Sequence, residues 1–287
     1  MKILPTILLL FLIDLTYQSC ISHPGVTTCM EQPLNKNTPL RIENYQNLLE
    51  FGQGELQTIP AGSFKLLTEL KILFIKNNKV RSIEIGSFDG LYNLEKLSLY
   101  NNMLREIPGG VFRDLRNLKQ LNLGMNQIST LSDDSFVGLF NLEIINLGFN
   151  SLSSIPEALN TIKTLKILTI NNNQIKKIPA YSFHNLNKLE ILNVADNAIT
   201  DIQNRAFKGL NAVKDLNLKA NYLSTLNTQD ILEDMKGLMT VSLAVNSFKC
   251  SSLKDIDENL RRRGVVLERG YYNKPGKTTY NGMVCTL

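Results

Sequence analysis

The side chains that could carry out catalysis or bind a metal are few and far apart in this chain of 287 residues. It contains only two histidines, His23 and His184, which cannot supply the clustered imidazoles of zinc sites and most acid–base catalysts. Asp133-Asp134 and the acidic group around Asp257 lack calcium-loop spacing, and no phosphate-binding glycine loop or nucleophile elbow occurs. The sequence therefore predicts no catalytic residue, no metal site and no cofactor, and we expect the protein not to be an enzyme.

The amino-terminal segment has the pattern of a secretory signal peptide. Met1-Lys2 precedes an apolar run over residues 3–13, and polar residues follow it. A positive start, an apolar core of about 7–15 residues and a polar exit are typical of such signals, whereas a membrane-spanning helix needs roughly 20 apolar residues. We predict a signal peptide over residues 1–19. Cleavage after Ser22 fits the small-residue rule better but would remove Cys20.

The four cysteines lie in two pairs, one near each end of the chain. An even number of cysteines in an oxidising compartment indicates disulfides. We expect the pairs Cys20–Cys29 and Cys250–Cys285, because the other two connectivities would tie together the ends of an elongated molecule; four free thiols are the alternative. No second long apolar run follows, so the sequence predicts a secreted, extracellular protein without a membrane span.

The chain contains 47 leucines and 32 asparagines, an excess that indicates a repeat, and a period of about 24 residues organises it. Nine units follow one another from residue 46, with starts 23 to 25 residues apart. The clearest unit is Leu94-x-x-Leu97-x-Leu99-x-x-Asn102-x-Leu104-x-x-Ile107. Alternation of period 2 at Leu97 and Leu99 is what a strand with one buried face requires. Because one unit cannot bury its apolar face alone, the units must stack into a parallel sheet.

Two further columns of the repeat have structural explanations. An asparagine recurs where the chain turns out of each strand, and its inward amide can satisfy backbone groups that would otherwise be buried unpaired. These asparagines are Asn78, Asn102, Asn126, Asn150, Asn173, Asn197, Asn221 and Asn246. A phenylalanine column fills the wider side of each unit, at Phe64, Phe88, Phe112, Phe136, Phe183 and Phe207. The fifth and eighth units lack this phenylalanine.

The repeat resembles the leucine-rich repeat of extracellular proteins over roughly residues 46–250. The resemblance implies an α/β leucine-rich repeat right-handed solenoid, curved, with a parallel β-sheet on its concave face and disulfide-stapled terminal caps. We divide the chain into a signal peptide (1–19), an amino-terminal cap (20–45), the repeats (46–249) and a carboxyl-terminal cysteine cap (250–287), whose first part, residues 252–263, is predicted to be helical. The family's carboxyl-terminal cap usually begins Asn-Pro-Phe-x-Cys with four cysteines, whereas here Ser247 replaces the proline and two cysteines remain.

The variable positions in and after each strand predict the surface of the concave face. This surface has few charges and many amides, together with an exposed apolar group at Phe74, Tyr100, Met125 and Phe149. Aromatic and Met side chains on a rigid surface favour a protein partner; the alternative is that Met125 and Phe149 pack against neighbouring strands. The expected partner-binding residues are Phe74, Tyr100, Asn122, Met125, Asn146, Phe149, Asn171, Asn193 and Asn217.

These observations predict a secreted module that recognises an extracellular protein, alone or as a homodimer or hetero-complex. The net charge of +5 is mild, and no long basic run argues for nucleic acid. Arg261–Arg263 is the densest basic cluster, and stabilisation of a helix end explains it as an alternative to a polyanion site. The chain is similar to Toll-like receptor and Slit-type ectodomains and insect leucine-rich immune proteins, which implies innate immunity or extracellular signalling. The alternative is an extracellular-matrix or adhesion component of the small leucine-rich proteoglycan type.

Overall fold

The computed structural model describes residues 20–29, 34, 40, 42, 47–52, 54–270 and 277–286. The predicted signal peptide and half of the predicted amino-terminal cap lie outside the described residues. The strands, in chain order, are β1 (Cys20–His23), β2 (Val26–Cys29), β3 (Leu48–Phe51), β4 (Thr58–Ile59), β5 (Ile72–Ile75), β6 (Ser82–Ile83), β7 (Lys96–Ser98), β8 (Glu106–Ile107), β9 (Gln120–Asn122), β10 (Thr130–Leu131), β11 (Ile144–Asn146), β12 (Ile167–Thr169), β13 (Lys177–Ile178), β14 (Ile191–Asn193), β15 (Asp201–Ile202), β16 (Asp215–Asn217), β17 (Thr240–Ser242), β18 (Val266–Leu267), β19 (Thr279–Tyr280) and β20 (Met283–Val284).

One twelve-stranded sheet runs through the described part of the molecule. Its order is β1-β2-β3-β5-β7-β9-β11-β12-β14-β16-β17-β18, parallel throughout except for the β1–β2 hairpin. Each repeat supplies one strand, in the same register as its neighbours; Leu97, for example, lies opposite Leu121. In β9, β11 and β12 the central residue is buried and its flanking residues are partly exposed, as the period-2 alternation predicts. The predicted parallel solenoid is therefore confirmed.

The asparagine column closes each turn in the way that the sequence predicts. In Asn102, Nδ2 donates to the Ile75 carbonyl of the preceding unit at 2.7 Å and to the Leu99 carbonyl at 3.0 Å. Its Oδ1 accepts the Val80 backbone N–H at 3.1 Å. The same arrangement recurs at Asn126, Asn150, Asn197 and Asn221. One amide thus joins two consecutive units and satisfies buried backbone groups of both.

The phenylalanine column forms a stack where consecutive units both contribute a ring. Phe64, Phe88 and Phe112 stack with centroid separations of 6.0 Å and 5.8 Å, and Phe183 stacks on Phe207 at 6.2 Å. The two units without phenylalanine form helical turns instead. A 3-10 helix spans Glu157–Thr161 in the fifth unit, and helix α1 spans Thr228–Asp234 in the eighth.

Both predicted disulfides are present, and each lies at one end of the sheet. Cys20–Cys29 closes the β1–β2 hairpin, and Cys250–Cys285 ties helix α2 (Cys250–Arg261) to the final hairpin of β19 and β20. The helix begins and ends two residues before the predicted range of 252–263. Across the described ranges, no helix is both long enough and apolar enough to traverse a bilayer.

Asp257 holds the carboxyl-terminal cap together. Its buried carboxylate accepts hydrogen bonds from Arg261 Nε at 2.9 Å, the Tyr280 hydroxyl at 2.8 Å and Asn281 Nδ2 at 3.0 Å. These bonds raise the pKa of both the Arg261 guanidinium and the Tyr280 hydroxyl, because each donates to an ionised carboxylate. The first arginine of the Arg261–Arg263 cluster therefore has a structural partner.

Candidate functional site

The concave face contains three adjacent columns of side chains, one from the carboxyl-terminal part of each strand and two from the turn that follows it. The first column contains Phe74, Asn122, Asn146, Asn193 and Asn217, each half-buried. The second contains Tyr100 and Asn171, and the third contains Met125 and Phe149. All nine sequence-predicted binding residues thus belong to neighbouring columns of this one face.

The asparagines of the first column each use their oxygen within the chain. Asn122 Oδ1 accepts the Gly124 backbone N–H at 3.0 Å, and Asn146 Oδ1 accepts that of Gly148 at 2.8 Å. The same bond forms at Asn193 and Asn217, to residues 195 and 219, at 3.1 Å in both cases. Since the amide oxygen accepts a backbone N–H, the NH2 group is the part of each amide that remains to donate, and this column can offer donors to a partner.

The middle of the concave face is low at Gly124 and Gly148, where the amides of neighbouring units lie over the backbone. A Cβ added to Gly124 would lie 3.0 Å from Asn146 Nδ2, and one added to Gly148 would clash with Asn171 Oδ1. Both glycines are covered by these amides and are buried. A shallow floor therefore separates the amide column from the third column of side chains.

The third column has left-handed backbone in every unit in which the structure describes it. The φ angles lie between 51° and 61° at Asn77, Asn101, Met125, Phe149, Asn172, Asp196, Ala220 and Val245. Asn and Asp tolerate this conformation, whereas other L-residues pay roughly 1–2 kcal/mol for it. Met125 and Phe149 occupy it nevertheless, with 40% and 52% of their surface exposed. Both side chains therefore present about half of their surface to solvent.

The predicted apolar group divides into two parts. The Tyr100 hydroxyl donates to Met125 Sδ at 2.7 Å, and Phe149 continues the exposed surface in the next unit. Phe74 is half-buried, with Lys76 Nζ 5.1 Å from its ring centroid and paired to Glu50 at 3.0 Å. We call Tyr100, Met125 and Phe149 the apolar ridge.

Sequence reasoning missed a ladder of charges at the edge of the concave face. In the twelve-stranded sheet, the residue immediately before each strand from β5 to β16 is charged, and its sign alternates along the solenoid. These residues are Lys71, Glu95, Lys119, Glu143, Lys166, Glu190 and Lys214. Ion pairs join Glu95 to Lys119 at 2.9 Å, Glu143 to Lys166 at 2.9 Å and Glu190 to Lys214 at 2.7 Å. The hydrogen bond from Lys119, followed by its charge, lowers the pKa of Glu95, and Lys214 does the same for Glu190. The 24-residue spacing of these charges was the available signal.

A second missed feature lies one position further into the strands. Ile144, Ile167 and Ile191 are opposite one another in β11, β12 and β14 and face the concave side beside the amides. Ile191 is 37% exposed and the other two are half-buried. These side chains add apolar area to the concave surface. They come two residues before Asn146, Thr169 and Asn193, which belong to the first column.

The histidines and acidic groups do not converge on a reaction site. His184 lies just after the phenylalanine column, with Nδ1 2.9 Å from the Tyr181 carbonyl and 4.0 Å from Glu157. Among the residues that the structure describes, no three His, Cys, Asp or Glu side chains are grouped so as to hold a metal ion.

A stack of parallel strands, closed at every turn by an asparagine and flanked by variable surface columns, defines a solenoid of the leucine-rich type. The chain belongs to the leucine-rich repeat family, whose profile (Leucine rich repeat) matches residues 49–104, 93–152, 163–223 and 188–248. No curated protein sequence gives a significant match.

Two solved structures illustrate the similarity. The crystal structure of a TLR13–ssRNA13 complex superposes with a TM-score of 0.68 and 25% identity, over 71% of this chain and 29% of that one. Internalin C2 from Listeria monocytogenes superposes with a TM-score of 0.53 and 26% identity, over 66% of this chain and 77% of that one. The chain thus spans less than a third of the length of the TLR13 chain.

Proposed function

We propose that this protein is a secreted recognition module that binds another protein through its concave face, in innate immunity or extracellular signalling. The leucine-rich repeat fold itself is typical of protein-binding modules without enzymatic activity. The similarity to TLR13 supports the immune context, and a disulfide at each end of the sheet is compatible with an extracellular location.

One observation carries the proposal: Met125 and Phe149, the two exposed residues of the ridge, occupy left-handed backbone that disfavours them. Asn at positions 125 and 149 would fit the left-handed conformation, as it does at Asn77, Asn101 and Asn172. Met and Phe instead cost stability and place apolar surface in water. We infer that the stability lost at Phe149 is offset by binding energy when a partner buries the ring, because buried aromatic residues dominate the binding energy of interfaces.

The charges of the concave columns favour a protein over a nucleic acid. Lys76 and Lys219 are balanced by Glu50 and Asp196, and the ladder beside the columns alternates in sign. A phosphate backbone needs a continuous positive surface. The RNA named in the TLR13 complex therefore does not transfer to this chain.

The experiment begins with crosslinking and mass spectrometry on native secreted material to identify the partner. The partner's affinity is then measured for Phe149→Asn, a substitution that removes the ring and relieves the backbone. All variants are produced in a host without N-glycosylation, because an asparagine placed before Asn150-Ser151 creates a glycosylation sequon. We expect binding to weaken at least tenfold, as for an interface hot spot worth about 1.4 kcal/mol or more. The midpoint of thermal unfolding should stay the same or rise.

Ala220→Asn is the matched control, because it makes the same backbone change at φ 52° away from the ridge. It should leave affinity unchanged. If the double variant Met125→Asn/Phe149→Asn bound the partner with wild-type affinity, the proposal that the apolar ridge is the binding site would be contradicted. Tight binding of single-stranded RNA, weakened by these substitutions, would replace the protein partner. Retention of the protein in insoluble matrix would favour the proteoglycan-like alternative.

A further inference from the structure

Two consecutive units carry opposite charges on the side of the solenoid where the chain leads into the sheet. Counted back from the first residue of β7, the positions one, four and seven residues earlier are Glu95, Tyr92 and Asp89. Counted back from β9, the same positions are Lys119, Arg116 and Arg113. An acidic column containing one tyrosine therefore lies beside a basic column. We call this surface the leading flank.

The side chains of the leading flank are available for contact. Tyr92 is 48% exposed, and Phe140, at the Tyr92 position two units later, is 67% exposed. Arg113 and Arg116 are exposed, and within the described ranges their side chains form no hydrogen bond or ion pair. The backbone of Tyr92 and that of Arg116 are nevertheless held in place, because Asn117 donates to the Tyr92 carbonyl at 2.9 Å and Asn141 donates to the Arg116 carbonyl at 2.8 Å. Aromatic and Arg side chains on a rigid support are what interface hot spots require.

The two columns are complementary to each other under a two-fold rotation. Consider a two-fold axis that lies in the plane of contact, perpendicular to the direction in which the units stack, and passes between β7 and β9. Rotation about this axis places the acidic column of one copy against the basic column of the other. Glu95 then faces Lys119, Tyr92 faces Arg116 and Asp89 faces Arg113, and each contact occurs twice. A two-fold interface requires a surface that complements itself in this way.

The alternation of the charge ladder also opposes slippage. In the same rotation the ladder residues on either side, Lys71 and Glu143, face one another. A shift by one unit would place Glu95 against Glu95, or Lys119 against Lys119, of the second copy, and like charges in contact are unfavourable. The ladder therefore excludes a shift by one unit. A shift by two units would restore its charge pairs but would separate the acidic column at β7 from the basic column at β9, so the two columns define the register.

We propose that two copies of this protein pair antiparallel through the leading flank, with the two-fold axis between β7 and β9. The contact combines the charge pairs with a guanidinium on each tyrosine ring. Both concave faces remain open, so the pair presents two apolar ridges. Pairing through the leading flank does not depend on the proposed function of the concave face.

Analytical ultracentrifugation over a range of protein and salt concentrations tests the pairing. We expect a concentration-dependent dimer that weakens as salt screens the charge pairs. Arg116→Glu should weaken dimerisation at least tenfold, and its unfolding midpoint should stay near wild type because the side chain has no partner within the described part of the chain. The concave variant Phe149→Asn should dimerise normally.

A charge exchange makes the test specific for the register. The double variant Glu95→Lys/Lys119→Glu keeps the ion pair within the chain and keeps the complementarity of a dimer centred between β7 and β9. It should therefore dimerise with itself but not with wild type, since a mixed pair sets carboxylate against carboxylate and ammonium against ammonium. Glu190→Lys/Lys214→Glu, the same exchange outside the contact, should mix freely with wild type.

Three results would overturn the inference. They are a wild-type protein that stays monomeric at every concentration, a double exchange variant that pairs with wild type as readily as with itself, and a dimer unaffected by Arg116→Glu. A dimer lost in the Glu95→Lys/Lys119→Glu variant would reject this register.

Discussion

Asparagine serves two purposes in this chain, and the atoms that each amide uses distinguish them. Asn150 donates to three carbonyls, of Leu123, Leu147 and Gly148, at 3.0–3.3 Å, and its oxygen accepts the Ile128 N–H at 2.9 Å. Asn146, four residues earlier, makes one bond of 2.8 Å to the Gly148 backbone. The first residue is part of the scaffold, and the second has its NH2 group left for a partner.

Replacement of these two residues should therefore have different consequences. Asn150→Ala leaves buried backbone groups without partners, and at about 1 kcal/mol for each bond we expect it to lower the unfolding free energy by about 3–4 kcal/mol. Asn146→Ala should cost less than about 1 kcal/mol. Chemical denaturation of both variants provides the measurement, and equal losses would contradict the distinction.

Much of the residue-level pattern could be predicted from the sequence, but the ridge geometry could not. The residues of the asparagine column, which form an asparagine ladder of their own, and the leucines recur as the same residue types at a fixed spacing. The repeat alone therefore predicts their positions. The left-handed column is hidden, because Met125, Phe149, Ala220 and Val245 are not turn-forming residues. Their φ angles follow from the turn that the ladder asparagines impose, which becomes apparent only when the units are stacked.

Helix α1 shows what happens to an element when the phenylalanine column is interrupted. In the eighth unit Ile231 is buried near the phenylalanine position, and the helix also buries Asp234, whose side chain is 1% exposed. Arg205 Nη2 lies 3.5 Å from Asp234 Oδ1, but neither carboxylate oxygen has a hydrogen-bond partner within the described residues. Burial raises the pKa of Asp234, and the Arg205 charge only partly opposes this, with Asp230, Lys208 and Glu233 also nearby.

This carboxylate predicts a pH dependence that is opposite to that of a salt-bridged acid. Because the folded-state pKa of Asp234 lies above its unfolded value, its contribution to stability is complete below an unfolded pKa of about 3.9 and is lost as pH rises through the folded pKa. We expect Asp234→Asn to raise the thermal midpoint at neutral pH, with a gain that disappears in acid.

The control for this measurement is Asp255→Asn, which changes an exposed carboxylate to the same amide. Thermal scans of both variants and wild type across the acidic range would separate the burial effect from general charge repulsion. A gain for Asp234→Asn that is equal at every pH would show that ionisation is not its cause.

At the scale of the whole molecule, stability depends on how the ends of the stack are closed. Each unit contacts only its neighbours, so a loosened end exposes the core of the next unit. The amino-terminal end is covered by the disulfide hairpin of β1 and β2, and the carboxyl-terminal end by α2 and the β19–β20 hairpin. Sequence reasoning identified both caps from the cysteines, but not the role of Asp257, because its partners Tyr280 and Asn281 lie more than 20 residues away.

Removal of the Asp257 carboxylate should open the cap while the disulfide holds the chain together. We expect Asp257→Ala to lower the unfolding free energy by about 2–4 kcal/mol, since three bonds to a charged group are lost. Hydrogen exchange should accelerate first in α2 and in residues 277–286, ahead of the central strands. Asp255→Ala, on the exposed side of the same helix, should change neither quantity, and uniform acceleration in Asp257→Ala would contradict an end-first opening.

The asparagine ladder also constrains how such a chain can change length during evolution. From Asn102 to Asn246, each asparagine of the column binds a carbonyl one unit behind it and an N–H 21 to 23 residues behind it. Duplication of one complete unit supplies a new amide together with the backbone groups that it binds, so the copy finds its partners at once. An insertion of a fraction of a unit between strands must instead bulge out of a turn. Growth in whole units is thus the path of least disruption, and each added unit would bring one new left-handed position at which a binding side chain can be tried.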